Sequence, residues 1–254
     1  MEESWIKKIV RYLIATPQRM DDGLHMRRWF AFFCMFLAAT ALASNWGFSC
    51  YSCGQGEWGR MVWLLCLYVF YFAMACTYVP LPTVWFVLFL ASPSDGLTML
   101  STPTRIFLVA GIGAMATGIA HLNEYHTLAY LMRLGKIHKI RDTRIYHWSE
   151  KQFKTWPFVL QVATNIVPIP ADPVRWLAIL SGYPLTKYFL AQWLGRFIRY
   201  GIMAGMAVWL GLNLKQIAMI QAALFVVAIG SFVAHRLVMK NGKTAEPNAE
   251  EVHT

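Results

Sequence analysis

Apolar residues fall along this chain in long blocks rather than in the short alternating runs of a soluble domain. The blocks are Trp29 to Phe48, Met61 to Ala91, Ile106 to Leu122, Trp156 to Tyr183, Tyr188 to Leu212 and Ile217 to Val233. Several reach the roughly 20 residues a helix needs to cross a bilayer. Two are interrupted. Met61 to Ala91 is broken at Pro80-Leu81-Pro82, and Trp156 to Tyr183 at Pro168, Pro170 and Pro173. Proline removes a backbone donor and clashes with the preceding turn, so neither block forms one continuous helix. Broken backbone at bilayer depth is tolerated where protein or water satisfies the freed groups, so each block reads as a re-entrant hairpin.

Charge decides between the possible topologies. Lys7, Lys8, Arg11, Arg19, Arg27 and Arg28 precede the first block, Arg236, Lys240 and Lys243 follow the last, and Arg133, Lys136, Lys139, Arg141, Arg144, Lys151 and Lys154 crowd the middle loop. All three clusters lie on the cytoplasmic side, as the positive-inside rule requires, only if Met61 to Ala91 enters from outside and turns back while Trp156 to Tyr183 enters from the cytoplasm and turns back. The expected fold is therefore an all-α multi-pass membrane protein: four full transmembrane helices, two opposed re-entrant hairpins and both termini cytoplasmic. Residues 1–27 form a basic arm, 28–236 the membrane domain and 237–254 a polar tail. Opposed half-membrane elements are the pattern of inverted-repeat transporters, whose sites lie near the bilayer midplane.

Composition agrees with this reading. Of 254 residues 57% are hydrophobic and 14% charged, against about 25% charged in soluble domains, and the mean hydropathy is +0.42. The net charge of +10 belongs to the flanks of apolar blocks, which argues against nucleic-acid binding. Arg27-Arg28 and the apolar run ending Ala41-Leu42-Ala43 have the outline of a signal peptide, but the long preceding arm and the later blocks favour an uncleaved first span. Leu128, Leu131, Leu134, Ile137 and Ile140, among basic residues, predict an amphipathic helix, lying in the membrane interface or packed on the protein. Trp29, Trp46, Trp58, Trp63, Trp156 and Trp209 fall near block ends, as an interfacial belt does. Gly111, Gly113 and Gly118, with the Gly201 and Gly205 pair, suit close helix packing.

Candidate chemistry concentrates around the second proline cluster. Asp172 at membrane depth is either a proton-accepting switch or gate, or the cap of a helix beginning at Pro173. Arg175, one turn on, can pair with it or receive a phosphate. Arg196 and Arg199, three residues apart on one helix face, either snorkel to the interface or join Arg175 as a phosphate clamp. His121 and Glu124 read as markers of a membrane boundary, and Lys187 as an interfacial anchor. Cys50 and Cys53 form a single CxxC pair, for which a disulfide is preferred over zinc or a redox role. No Ser-His-Asp set, HExxH or Walker loop is present, and the histidines lack metal-ligand spacing, so neither an enzyme nor a metal or cofactor site is expected.

Val79-Pro80-Leu81-Pro82-Thr83, Gly111-Ile112-Gly113-Ala114, Ala171-Asp172-Pro173, Ser181-Gly182-Tyr183-Pro184 and Gly195-Arg196-Phe197-Ile198-Arg199-Tyr200, in that order, resemble the DedA superfamily of VTT-domain (SNARE-associated Golgi protein) membrane proteins, small bacterial branch. The resemblance covers about residues 78–206. It implies a re-entrant fold in a bacterial inner membrane, possible homo-oligomers, and transport or scrambling of lipids, either anionic phospholipid or polyprenyl phosphate. Two positions depart from the family pattern. Val84 stands where a glutamate is common and Asn165 where an arginine is common, so Asp172 is the acid carried over. A proton-coupled small-ion carrier and a membrane-organising, partner-binding protein are the alternatives.

Overall fold

A computed structural model describes residues 23–54, 56–75, 83–133, 153, 155–167, 172–220, 222–223 and 226. Among them there are helices and connecting turns but no strands. The elements are α1 (Gly23–Ser52), α2 (Gly56–Ala75), α3 (Val84–Ala91), α4 (Thr102–Arg133), α5 (Pro157–Ile166), α6 (Asp172–Leu180) and α7 (Leu185–Trp209). A further helical stretch starts at Leu214. Among the described residues three helical segments are, by length and composition, able to cross a membrane: Arg27–Ser52, Gly56–Ala75 and Thr102–Leu131. Residues 1–22 of the basic arm, the polar tail, Pro80, Pro82, Pro168, Pro170 and most of the basic middle segment lie outside the described residues, while 23–27 of the arm belong to α1.

Local chemistry sets the element ends. Ser92 precedes Pro93 and has ψ 134°, and Val167 precedes Pro168 and has ψ 140°; proline disfavours the helical region for the residue before it. Pro157 opens α5, where its missing N–H costs nothing. α6 and α7 both stop on left-handed glycines, Gly182 at φ 68° and Gly211 at φ 59°. In each case the two N–H groups past the helix bond back across the last turn: Gly182 to Ile179 and Tyr183 to Ala178, then Gly211 to Val208 and Leu212 to Ala207. This is the Schellman pattern. Asn213 and Gln216 then exchange side-chain and backbone bonds at 3.0 Å each way, a reciprocal cap for the helix that follows.

α1 and α2 are antiparallel neighbours at glycine crossings. A Cβ on Gly47 would lie 2.6 Å from Trp63 N, and one on Gly59 would lie 2.6 Å from Tyr51 N. α3 runs back along α2, with Trp85 against Tyr71 and Phe86 against Tyr68. The chain therefore re-emerges beside the start of α2, where Arg60 donates to the Asp95 carbonyl at 2.7 Å.

A knot of hydrogen bonds ties this end of the bundle. Ser92 Oγ donates to the Leu212 carbonyl at 2.8 Å, Arg105 Nη1 donates to the Ser92 carbonyl at 2.8 Å, and Leu214 N–H donates to Asp95 Oδ2 at 2.9 Å. The N-terminus of α4 and the C-terminus of α7 are thereby fixed to one loop.

Two apolar clusters form the core. The larger, including Leu64, Phe72, Phe86, Leu90, Val109 and Tyr200, lies toward the knot. The smaller, including Tyr125, Phe153, Leu177, Leu185 and Tyr188, lies toward the α6–α7 turn. Outward faces remain apolar, with Met35, Leu42, Phe107 and Ile202 exposed, as lipid-facing surfaces are.

Several expectations are corrected. The third span does not stop at Leu122: α4 continues to Arg133 and absorbs Leu128 and Leu131, the first positions of the predicted amphipathic helix. Trp29 is not interfacial but buried at 1% exposure, with its ring on His126, whereas Trp46, Trp58, Trp156 and Trp209 are exposed. The close-packed glycines of α4 are Gly113, against Tyr68, and Gly118, against Phe189. A Cβ on Gly201 would meet Ala110 Cβ of α4 at 3.9 Å, an ordinary contact, whereas Gly205 faces open space, so the pair forms no tight packing seam among the described residues. Cys50 lies in the last turn of α1 and Cys53 just past it, rather than both in a loop, and the two are unbonded in this structure.

Candidate functional site

Between the two apolar clusters lies a polar layer built from four helices. α4 contributes His121 and Glu124, one turn apart on one face; α5 contributes Gln161 and Asn165; α6 contributes Arg175 and Trp176; and α7 contributes Gln192, Arg196 and Tyr200. His121, Gln161, Asn165, Gln192 and Tyr200 are at most 1% exposed. Placing an arginine at the centre of a membrane helix costs roughly 2.5 to 3.5 kcal/mol on insertion scales, so both arginines require compensating partners.

His121 is the hub. Arg175 Nη1 lies 2.8 Å from Nδ1 and 3.2 Å from Nε2 of its ring, and Arg196 Nη2 lies 3.5 Å from Nε2. Glu124 Oε2 lies 3.2 Å from Nδ1 and 3.3 Å from Arg175 Nη1. Guanidinium only donates and a carboxylate only accepts, so the neutral tautomer that serves all three neighbours carries its proton on Nδ1, toward Glu124, and turns the Nε2 lone pair to both arginines. Glu124 Oε1 also accepts from Trp176 Nε1 at 3.3 Å. Arg196 is held further by Asn165 Oδ1 and by the Tyr200 hydroxyl, each at 3.2 Å. Asn165 in turn donates to the Gln161 carbonyl at 2.7 Å.

The approach of α5 to α7 depends on Gly195, where a Cβ would lie 2.6 Å from the Asn165 Cβ and 2.8 Å from the Val162 carbonyl. That absence of a side chain lets Asn165 reach Arg196. Near the other face of the layer the Tyr125 hydroxyl donates to the Tyr183 carbonyl at 2.9 Å, tying α4 to the α6–α7 turn.

Of the residues singled out from the sequence, Arg175, Arg196 and Asn165 come together in this layer. Arg199 lies half-buried three residues further along α7. Asp172 begins α6 and Pro173 follows it, with their side chains outside the described residues. His121 and Glu124 are corrected: they belong to the interior of the bundle, not to its boundary, because α4 extends three turns beyond the end of the predicted span. Gln161, Gln192 and Tyr200 were missed. The signal for Gln192 and Tyr200 was Tyr188, Gln192, Arg196 and Tyr200 at every fourth position of α7, and for Gln161 its spacing of four from Asn165 on α5, each a polar stripe on one helix face.

At the knot, a second carboxylate has a different setting. The Ser94 hydroxyl at 2.7 Å and the Leu214 N–H hold Asp95 below the usual carboxylate range, with Arg60 adding to the effect.

The fold and the layer define an all-helical, membrane-associated protein with an arginine–histidine–glutamate centre inside its bundle. No family model, curated protein or solved structure matches the chain.

Proposed function

We propose that the protein moves a lipid-borne phosphate between the leaflets of a membrane, with Arg175 and Arg196 receiving the phosphate. The observation that carries this reading is the meeting of two guanidiniums, from two different helices, at one imidazole in the middle of the bundle. Like charges brought this close in an apolar setting repel, and a phosphate accepting from both relieves the repulsion; paired N–H donors match its oxygens. Arg196 lies near the middle of α7, the depth a transported headgroup has to pass.

Two further features support it. α3 turns back against α2 through Tyr71, Trp85 and Phe86, and α5 and α6 flank the second proline cluster, an order of broken segments that suits the DedA resemblance. α7, 25 residues long with Lys187, Arg196 and Arg199, serves as a further span whose cations face inward or toward the interface. Glu124 takes the part of the acid that the family pattern places near Val84. It holds Arg175 between headgroups, and Asp172, which begins α6, is the second candidate acid. Anionic phospholipid and polyprenyl phosphate both present the required group.

The test is movement of fluorescent phospholipid, and separately of a polyprenyl phosphate, across sealed proteoliposomes. Wild type is expected to move at least one of them above the empty-vesicle rate. Arg196→Ala is expected to lower that rate at least tenfold, and Arg196→Lys to lower it less, with melting temperatures recorded for each. A folded Arg196→Ala protein moving lipid at the wild-type rate, or wild type moving neither lipid, overturns the reading.

A further inference from the structure

Three buried polar atoms beside the cluster have no hydrogen-bond partner among the described residues: Gln161 Nε2, Gln192 Oε1 and Tyr188 Oη. Their residues are all at 0% exposure. Gln161 and Gln192 share one bond, Gln192 Nε2 to Gln161 Oε1 at 3.3 Å. Turning both amides over would exchange the orphaned donor and acceptor between them without removing either. Each such group is costly if left dry, yet the three gather in one place. Tyr188 and Gln192 are successive members of the α7 stripe that continues to Arg196, and Gln161 faces them from α5 one turn before Asn165. Protein interiors meet a concentration of this kind with ordered water, which needs two to four polar partners.

We propose that Tyr188, Gln161, Gln192 and Arg196 bound a water-binding site that hydrates the arginine–histidine centre from within. Water reaches it along the edge formed by Glu124, whose side chain is 22% exposed, and Trp176, which is 48% exposed. The apolar clusters on either side confine it to the polar layer. Its role is to keep the guanidiniums solvated whenever no anion is bound, and it holds whichever molecule the protein moves.

The experiment is pulsed hydroxyl-radical labelling in ¹⁸O-water on the full chain in detergent or nanodiscs, read residue by residue by mass spectrometry. Bulk solvent does not touch Tyr188, Phe33 or Phe86, which are at 0%, 0% and 2% exposure; only internal water labels them. Tyr188 is expected to incorporate label at least tenfold faster than either phenylalanine, and equal rates overturn the proposal. In the double variant Gln161→Leu with Gln192→Leu, labelling of Tyr188 is expected to fall to the phenylalanine rate while the melting temperature holds or rises, since an imperfect buried polar pair has been exchanged for apolar groups of similar volume. A folded double variant that still labels Tyr188 at the wild-type rate also overturns it. Should the double variant fail to fold, the wild-type contrast between Tyr188 and the phenylalanines decides the question alone.

Discussion

Among the described residues two polar centres stand out, and they are built on opposite plans. At the loop end, Ser92, Arg60 and Arg105 spend their donors on backbone carbonyls of Leu212, Asp95 and Ser92. In the middle layer His121, Glu124, Arg175, Arg196, Asn165 and Tyr200 bind one another through side chains. A backbone carbonyl is a fixed acceptor that cannot be withdrawn without moving a helix. A side-chain acceptor can swing away and let another anion take its place. The first plan suits anchoring and the second suits exchange, which is why transport is proposed for the layer and not for the knot.

The comparison can be broken most forcefully at Gly195. A methyl group there meets the Asn165 Cβ and the Val162 carbonyl, so Gly195→Ala forces α5 from α7 and is expected to cost about 1 to 3 kcal/mol. It should lower both the melting temperature and the proposed lipid movement; movement unchanged per folded molecule would detach the layer from transport. Ser92→Ala comes next. It removes a buried bond to the Leu212 carbonyl and should destabilise by roughly 1 to 2 kcal/mol in thermal unfolding. Transport per folded molecule should persist, and its loss would erase the distinction between the two centres.

The smallest effect is expected at Asp95. A folded-state pKa below the unfolded value of about 3.9 contributes stability that is fully present above that value and lost as the pH falls through the folded pKa. Wild type should therefore lose this increment below about pH 4, and Asp95→Asn should show a flatter acid dependence over the same interval. Identical acid profiles would show that the Leu214 contact adds nothing.

The apolar blocks and proline breaks made an all-helical, membrane-type chain legible from sequence, including the split of Met61 to Ala91 into two helices. Arg175, Arg196 and Asn165 were legible too, since polar side chains are conspicuous in apolar surroundings. His121 and Glu124 were misplaced for a physical reason. Hydropathy falls off after Leu122, yet α4 continues because Tyr125, Ala129 and Leu128 pack on the smaller cluster, a tertiary effect invisible to a local window. The buried glutamines carry no charge and so raised no alarm, although their spacing was in plain view.

α4 is one unbroken rod of 32 residues, clamped near its start by Arg105 and carrying Glu124 well toward its other end. At 1.5 Å of rise per residue the distance from clamp to carboxylate is about 28 Å, so a tilt of about 5° at the loop shifts Glu124 by about 2.5 Å. That travel is enough to open or close a contact with Arg175. A ligand, lipid or neighbouring protein leaning on the Ser92–Asp95 loop therefore has mechanical leverage over the centre of the bundle without entering it.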